Sequence, residues 1–295
     1  MEFIPAKTIL SGYSEQNSWF GNNYNMNIYK GCSHGCIYCD SRSECYRVDN
    51  FDEVRAKGNA LALIERELQS KRRKGVVGTG AMSDPYNPLE KNYQLTRGAL
   101  ELINRFGFGV SIATKSDLIV RDIDILKEIA KHSPVLVKIT VTTADDLLCS
   151  KIEPNAAVSS RRFRAIKTLS QEGIFTGVLL MPVLPFIEDT EDNIRKIIDL
   201  AYQSGAKFIY PAFGVTLRQN QREWYYKKLD ELFPSLKEKY LKSYGNAYEC
   251  RCLKAKELWI LFQHKCDDYG ILYTMKDITA GYRDPYQVSQ LSLFE

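Results

Sequence analysis

The chain has 295 residues, with 40 Lys and Arg against 36 Asp and Glu, a formal net charge of +4, 44% hydrophobic residues and 26% charged residues. These are ordinary globular values, and they exclude collagen-like, wholly disordered and supercharged chains. The length suffices for one large α/β domain with an appendage. The opening segment lacks the apolar core of a secretion signal. The most apolar stretch, 175–186, is too short to span a bilayer and holds Pro182 and Pro185. A cytoplasmic protein with no membrane contact is expected. Eight cysteines in a reducing compartment point to metal or redox chemistry before disulfides.

Residues 1–23 form an N-terminal segment. Strand and helix patterns then alternate over 24–215. Strands are expected at 24–29, 76–79, 110–114, 135–141, 175–181 and 208–213, several of them nearly continuous apolar runs of the kind buried on both faces. Among the helical patterns, Ile194, Ile197, Ile198 and Ala201 make one apolar stripe. Asp189, Thr190 or Asp192 is placed to cap that helix. Gly75, Gly173 and Gly205 stand where helices should end. Repeated βα units give a parallel sheet with right-handed crossovers. Six strands fall short of a complete eight-stranded barrel. An α/β fold follows, either a partial (β/α) barrel of about six parallel strands or an open sheet. Both place functional groups at the C-terminal ends of strands, where the polar clusters after Tyr29, Thr79, Thr114 and Val141 fall.

From Val215 the alternation stops. Residues 215–260 carry ten Lys and Arg against six Asp and Glu, interleaved with Trp224, Tyr225, Tyr226, Tyr240, Tyr244, Tyr248 and Trp259. A mainly helical C-terminal extension is expected over 216–281 and an extended tail over 282–295. The basic aromatic stretch suits a cradle for a nucleic-acid strand, or equally an amphipathic helical cap with solvated lysines.

Directly after the first strand come Cys32, Cys36 and Cys39. Thiolates at spacings of four and three wrap one side of a metal centre, and Gly31 and Gly35 let the backbone fold tightly around it. Three ligands suit a cubane iron–sulfur cluster with one iron left open. A structural zinc site is the alternative, and it needs a fourth protein ligand, His34 or Cys45.

The cysteine trio, with an aromatic residue before its last member, resembles the radical S-adenosylmethionine superfamily. The order of further motifs resembles the branch related to spore photoproduct lyase, the DNA-repair-photolyase-like group. These are Gly78, Thr79, Gly80 and Ala81 running into Ser83, Asp84, Pro85, Tyr86, Pro88 and Glu90; then Thr114, Lys115, Ser116 and Asp117; then Thr142 and Thr143 with Ile152, Glu153 and Pro154; then Arg162; then Pro182, Pro185 and Asp189. The resemblance covers roughly residues 24–215. It implies a partial (β/α) barrel and a [4Fe-4S] cluster on Cys32, Cys36 and Cys39. S-adenosyl-L-methionine would chelate the open iron and, on one-electron reduction, release a 5′-deoxyadenosyl radical. It further implies an electron donor such as flavodoxin or ferredoxin.

Within that resemblance each motif residue has a physical role. Ser83 and Asp84 offer acceptors for the cofactor's ammonium group. Thr114 and Lys115 end the next strand, and Lys115 supplies a charge for the carboxylate. Thr140 and Thr142 share one face of their strand and offer hydroxyls to ribose or methionine atoms. Tyr38 can pack on adenine, and Glu153 with Arg162 can form an ion pair over the site. Alternatively, Asp84 and Pro85 simply open a turn, and Glu153 and Arg162 form a solvated pair.

Spore photoproduct lyase has a hydrogen-donating cysteine just before the Ser-Asp of its second strand. Here that place holds Ala81 and Met82, neither a thiol. Cys45, Cys149, Cys250, Cys252 and Cys266 are other candidates for quenching a product radical. The last three, with His264, are also candidates for a second metal site. Two classes of function follow: a radical enzyme, of lyase or transferase type, acting on an unidentified substrate such as DNA or RNA; or a non-catalytic nucleic-acid-associated protein with a structural metal centre. The terminal Gln290, Leu291, Ser292, Leu293 and Phe294 resemble the short peptide by which bacterial replication and repair proteins bind the sliding clamp. Folding back onto the barrel is the alternative for these residues.

Overall fold

The computed structural model describes residues 2–13 and 19–286. Seven strands make its main sheet: β1 (Leu10–Gly12), β2 (Tyr24–Met26), β3 (Val76–Thr79), β4 (Gly109–Thr114), β5 (Val135–Thr140), β6 (Thr176–Leu180) and β7 (Ile209–Pro211). Their order across the sheet is the reverse of their order in the chain. β2 to β7 run parallel, with Ile112 beside Val137 and Ile139 beside Val178. β1 is antiparallel to β2. This is the expected partial barrel, with one extra edge strand.

Alternation along each strand sorts side chains between two cores. Val77, Val110, Ile112, Val137 and Ile139 pack with the helices. Val76, Leu136, Leu179 and Phe208 pack inside the barrel. Because both faces are covered, the strands read as continuous apolar runs. The crossover helices are α1 (Ala60–Ser70), α2 (Leu95–Arg105), α3 (Ile123–Ala130), α4 (Asp146–Ile152), α5 (Ser159–Gln171) and α6 (Glu191–Gln203). α6 follows its sequence pattern: the Thr190 hydroxyl accepts from the Asn193 N–H at 3.2 Å, and Ile194, Ile197, Ile198 and Ala201 are all buried.

Three local expectations differ. The expected strand at 24–29 is two: β2 stops at Met26, and Tyr29–Lys30 pairs instead with Arg55–Lys57 in a separate three-stranded sheet. β1 is too short to show a period; the Glu67 carboxylate pins it, accepting from the Ile9 and Leu10 N–H groups at 3.1 and 2.7 Å. Gly75 does not end a helix, since α1 stops at Ser70. A Cβ at Gly75 would lie 2.5 Å from Asn23 Oδ1, so the glycine makes room for that side chain.

Beyond the barrel, β8 (Gly214–Thr216) pairs antiparallel with β9 (Glu249–Arg251). Between them lie α7 (Gln221–Leu232) and α8 (Leu236–Tyr244). Tyr225, Tyr226 and Tyr240 from these helices pack with Cys36, Ile37 and Tyr38, so this part of the basic aromatic stretch is a cap on the cysteine loop. Tyr248 and Trp259 stay exposed. α9 (Ala255–Tyr269) returns to the barrel, where Leu258, Phe262 and Cys266 join the main core. α10 (Met275–Arg283) and a short turn, Asp284–Tyr286, end the described chain. Residues 282–286 are therefore not extended: Tyr282 is buried, and its hydroxyl donates to the Phe20 carbonyl at 2.6 Å. The Gln290 to Phe294 segment lies outside the described residues. No helix among the described residues is long and apolar enough to cross a membrane.

Candidate active site

The cysteine loop begins at Gly31, directly after the Tyr29–Lys30 strand of the small sheet, where φ is +80° and a Cβ would lie 2.5 Å from the Glu53 carbonyl oxygen. No other residue type fits there without moving backbone. The Cys32 N–H donates to the Phe51 carbonyl at 2.8 Å. Cys32, Cys36 and Cys39 are all free thiols, and all three line one cavity of about 620 Å³.

Three thiols are donors that an iron–sulfur cluster takes, and a structural zinc would need a fourth protein ligand. Among the described residues no three His, Cys, Asp or Glu side chains converge to hold a single metal ion. In a multi-iron cluster each thiolate takes its own iron. Both candidates for a fourth zinc ligand are engaged elsewhere. His34 Nδ1 lies 3.5 Å from Asp84 Oδ2. Cys45 is exposed, with its sulfur 2.9 Å from Ser43 Oγ and 3.1 Å from Arg218 Nη1. Burial pushes the three loop thiols up, Cys32 to about 11, while Lys115 pulls Cys36 and Cys39 the other way.

Six of the nine residues expected around the cofactor line this cavity: Tyr38, Ser83, Asp84, Thr114, Lys115 and Thr140. Asp84 is already saturated. Its Oδ1 accepts from the Tyr86 N–H at 2.8 Å and the Thr114 hydroxyl at 2.7 Å, and its Oδ2 accepts from the Lys115 N–H at 2.7 Å. Asp84 thus opens a turn and staples the end of β3 to the end of β4. The Lys115 side chain reaches over the Tyr38 ring, 5.6 Å from its centroid. Burial alone would pull its ammonium down, but Cys36 and Glu153 outweigh this and hold it above its ordinary range.

Thr142, Glu153 and Arg162 do not line the cavity. β5 ends at Thr140, so the alternation that would have aimed Thr142 inward stops two residues before it. Its hydroxyl is buried beside the Glu188 carboxyl. Glu153 and Arg162 form an ion pair at 2.5 Å, but it is neither over the cavity nor solvated: both side chains are at most 1% exposed. Arg162 also donates to the Thr140 carbonyl at 2.8 Å and the Ala157 carbonyl at 2.5 Å. Glu153 accepts the hydroxyl of Tyr38. Burial would push the Glu153 carboxyl up, but Arg162 and then Lys115 outweigh it and hold it below its usual range.

Some residues of this region carry no sequence signal. Glu188, in the loop after β6, is buried and pushed up to about 8 by burial, so it holds its proton at neutral pH. Its Oε2 accepts from the Leu184 N–H at 2.9 Å, and its carboxyl also meets the Thr142 hydroxyl. Tyr13, Trp19 and Tyr46 bring aromatic walls to the cavity. The second cysteine group does not assemble: Cys250 is buried in the cap, and Cys252 and Cys266 in the main core. Cys149 is buried, with its thiol 3.6 Å from Glu153 Oε2.

Residues 26–201 match the model of the radical SAM superfamily. An uncharacterized protein of Mycobacterium tuberculosis (strain ATCC 25618 / H37Rv) is 30% identical over 228 residues, 75% of this chain and 67% of the relative. Among solved structures, spore photoproduct lyase complexed with dinucleoside spore photoproduct shares the fold at a TM-score of 0.64 and 14% identity, over 90% of this chain and 79% of that one. The methyltransferase TsrM from Kitasatospora setae, with cobalamin and a [4Fe-4S] cluster bound, does so at 0.57 and 12%, over 90% and 58%. With a family match over more than half its length, the chain belongs to the radical SAM superfamily and is a radical SAM enzyme.

Proposed function

We propose that this enzyme carries a [4Fe-4S] cluster on Cys32, Cys36 and Cys39 and reductively cleaves S-adenosylmethionine beside it. The observation that carries this reading is three free thiols sharing one cavity with Lys115. When bound, the cluster would supply an electron and S-adenosylmethionine the radical chemistry for hydrogen-atom abstraction from substrate. The protein's part is placement. Lys115 meets the cofactor's carboxylate with a fixed positive charge. Ser83 and the saturated Asp84 border the ammonium group. Tyr38 offers a ring to adenine, and Thr114 and Thr140 shape the walls. Thr142, Glu153 and Arg162 act from behind that wall.

The substrate we propose is a nucleic acid. The solved neighbour spore photoproduct lyase was captured with a dinucleoside photoproduct. Exposed Tyr248 and Trp259 lie in the basic part of this chain, and aromatic faces with phosphate-pairing cations suit single strands. Ala81 and Met82 line the cavity where spore photoproduct lyase has its hydrogen-donating cysteine, which speaks against thymine-dimer repair as the net reaction. A flavodoxin or ferredoxin is proposed as electron donor, and a bacterial sliding clamp as partner of Gln290 to Phe294.

The test is anaerobic reconstitution with iron and sulfide analysis, followed by dithionite reduction with S-adenosylmethionine. About four irons per chain and release of 5′-deoxyadenosine are expected. Cys32→Ala, Cys36→Ala and Cys39→Ala should each lose the cluster. No 5′-deoxyadenosine from a fully loaded protein would sink the reading. Deuterium transfer into 5′-deoxyadenosine from labelled DNA or RNA tests the substrate class.

A further inference from the structure

The residues between the candidate ligands all meet one other stretch of chain, 152–155; Tyr38 is held in addition by Gln221, whose Nε2 donates to its carbonyl at 2.9 Å, and His34 by Asp84. The Ile37 N–H donates to the Ile152 carbonyl at 3.0 Å. The Tyr38 hydroxyl donates to the Glu153 carboxylate. Pro154 packs against Gly35, where a Cβ would stand 3.1 Å from its ring. The Asn155 N–H donates to the His34 carbonyl at 3.1 Å, and Asn155 Nδ2 donates to the Ser33 carbonyl at 2.9 Å.

The distribution of these contacts is informative. Ser33, His34 and Gly35 span the interval between Cys32 and Cys36. Ile37 and Tyr38 span the interval between Cys36 and Cys39. Every interval residue is tied to 152–155, while Cys32, Cys36 and Cys39 line the cavity. A loop whose only purpose was to cover a core would have no reason to place its anchors in that pattern. The backing is itself rigid. The Glu153 N–H donates to the Cys149 carbonyl at 2.8 Å at the end of α4, and the Ala156 N–H to the Glu153 carbonyl at 3.1 Å. Arg162 clamps Glu153 from the far side and is bonded to the Thr140 carbonyl at 2.8 Å. The same guanidinium thus ties the loop's backing to the strand end that borders the cavity.

We infer that 152–155 is a template that holds the cysteine loop in its ligating shape before any cluster is present, with Glu153 and Asn155 as positioning residues. The inference rests on the reading of Cys32, Cys36 and Cys39 as cluster ligands. Ordering nine irregular residues costs conformational entropy. If the template meets that cost during folding, binding of the cluster does not have to. Outer groups that orient ligands in this way are worth about 10- to 100-fold in metal retention.

Asn155 is the residue to test, because it is exposed and its side chain makes a single anchoring bond. The experiment uses the full chain in two states. In metal-free protein, amide hydrogen exchange is followed over 31–39, together with thermal unfolding, for wild type, Asn155→Ala and Asn155→Ala with Tyr38→Phe. In reconstituted protein, iron release to a chelator is timed for the same set. The expected result is a protected loop in metal-free wild type. Exchange over 31–39 should be about tenfold faster in Asn155→Ala and faster again in the double variant, with the melting temperature of Asn155→Ala unchanged. Iron release should quicken by about the same factor. An unprotected loop in metal-free wild type, or equal exchange in all three chains, overturns the template. A protein that takes up no iron but shows the exchange difference removes the cluster reading and supports the template, so the two failures are distinguishable.

Discussion

Lys138 stands on the inner face of β5, two residues before Thr140, at 1% exposure. Among the described residues it has no carboxylate partner: its ammonium donates to the Ser111 hydroxyl and lies 4.9 Å from the centre of the Phe20 ring. Burial brings its pKa down to about 7 from 10.5. The sign follows from linkage. The unfolded chain keeps the proton up to its ordinary pKa, whereas the folded chain releases it near 7. The cost to folding is therefore greatest below about pH 7, shrinks as pH rises from there, and vanishes above the unfolded value. Lys138→Met, of similar length, should stabilise the protein by about 2 kcal/mol at pH 7, less than the full titration penalty because Ser111 loses its donor. The gain should fall between pH 7 and pH 9. Urea unfolding of both chains at several pH values measures it, and a gain that grows with pH would refute the account.

At the scale of elements, legibility followed the range of the interactions. α6 was readable because its stripe and its cap are local: residues 190–201 contain everything that shapes it. Thr190→Ala should cost about 1 kcal/mol through the lost bond to the Asn193 N–H, read as a lower denaturation midpoint with an unchanged slope. The parallel strands were readable for a related reason, since burial on both faces marks the residues themselves. Pairings between distant segments leave no such mark. β1 depends on Glu67, and β8 finds β9 across more than thirty residues. The site divides in the same way. Cys32, Cys36, Cys39 and Lys115 announce themselves by residue type and spacing. The motif order carried Asp84, Glu153 and Arg162, but nothing local could reveal that Asp84 spends its oxygens on neighbouring strand ends or that the ion pair is buried behind Tyr38. Asn155 and Glu188 were missed because their roles exist only once α4 and the loop after β6 are folded against the rest.

In the molecule as a whole, a segment near each end of the described chain reaches the inner core of the barrel. Phe20 precedes β2, and α10 brings Ile278 and Tyr282 into the same inner core, with Val76, Leu136, Leu179 and Phe208. Polar ties secure the junction. The Tyr282 hydroxyl donates to the Phe20 carbonyl at 2.6 Å, Arg283 Nη1 donates to the Gly21 carbonyl at 2.5 Å, and the Phe20 N–H lies 3.3 Å from the Met275 sulfur. Leu179 belongs both to this core and to the wall of the active-site cavity, so the terminal plug and the reaction chamber share a layer of side chains. A chain ending at Tyr273 would lose α10 and expose that core. Ile278 and Tyr282 alone represent roughly 2 kcal/mol each of apolar burial, and the loss of several kcal/mol is a large part of a typical 5–15 kcal/mol stability. That chain should melt at least 10 °C lower, or fail to give a cooperative transition. A chain ending at Ser289 keeps Tyr286, whose hydroxyl donates to the Ala130 carbonyl at 2.8 Å. It should melt with the full-length protein, and it should differ only in losing affinity for a bacterial sliding clamp. A substantial fall in its melting temperature would instead mean that Leu291, Leu293 and Phe294 serve the fold. A chain ending at Tyr273 that melted like the full-length protein would refute the plug.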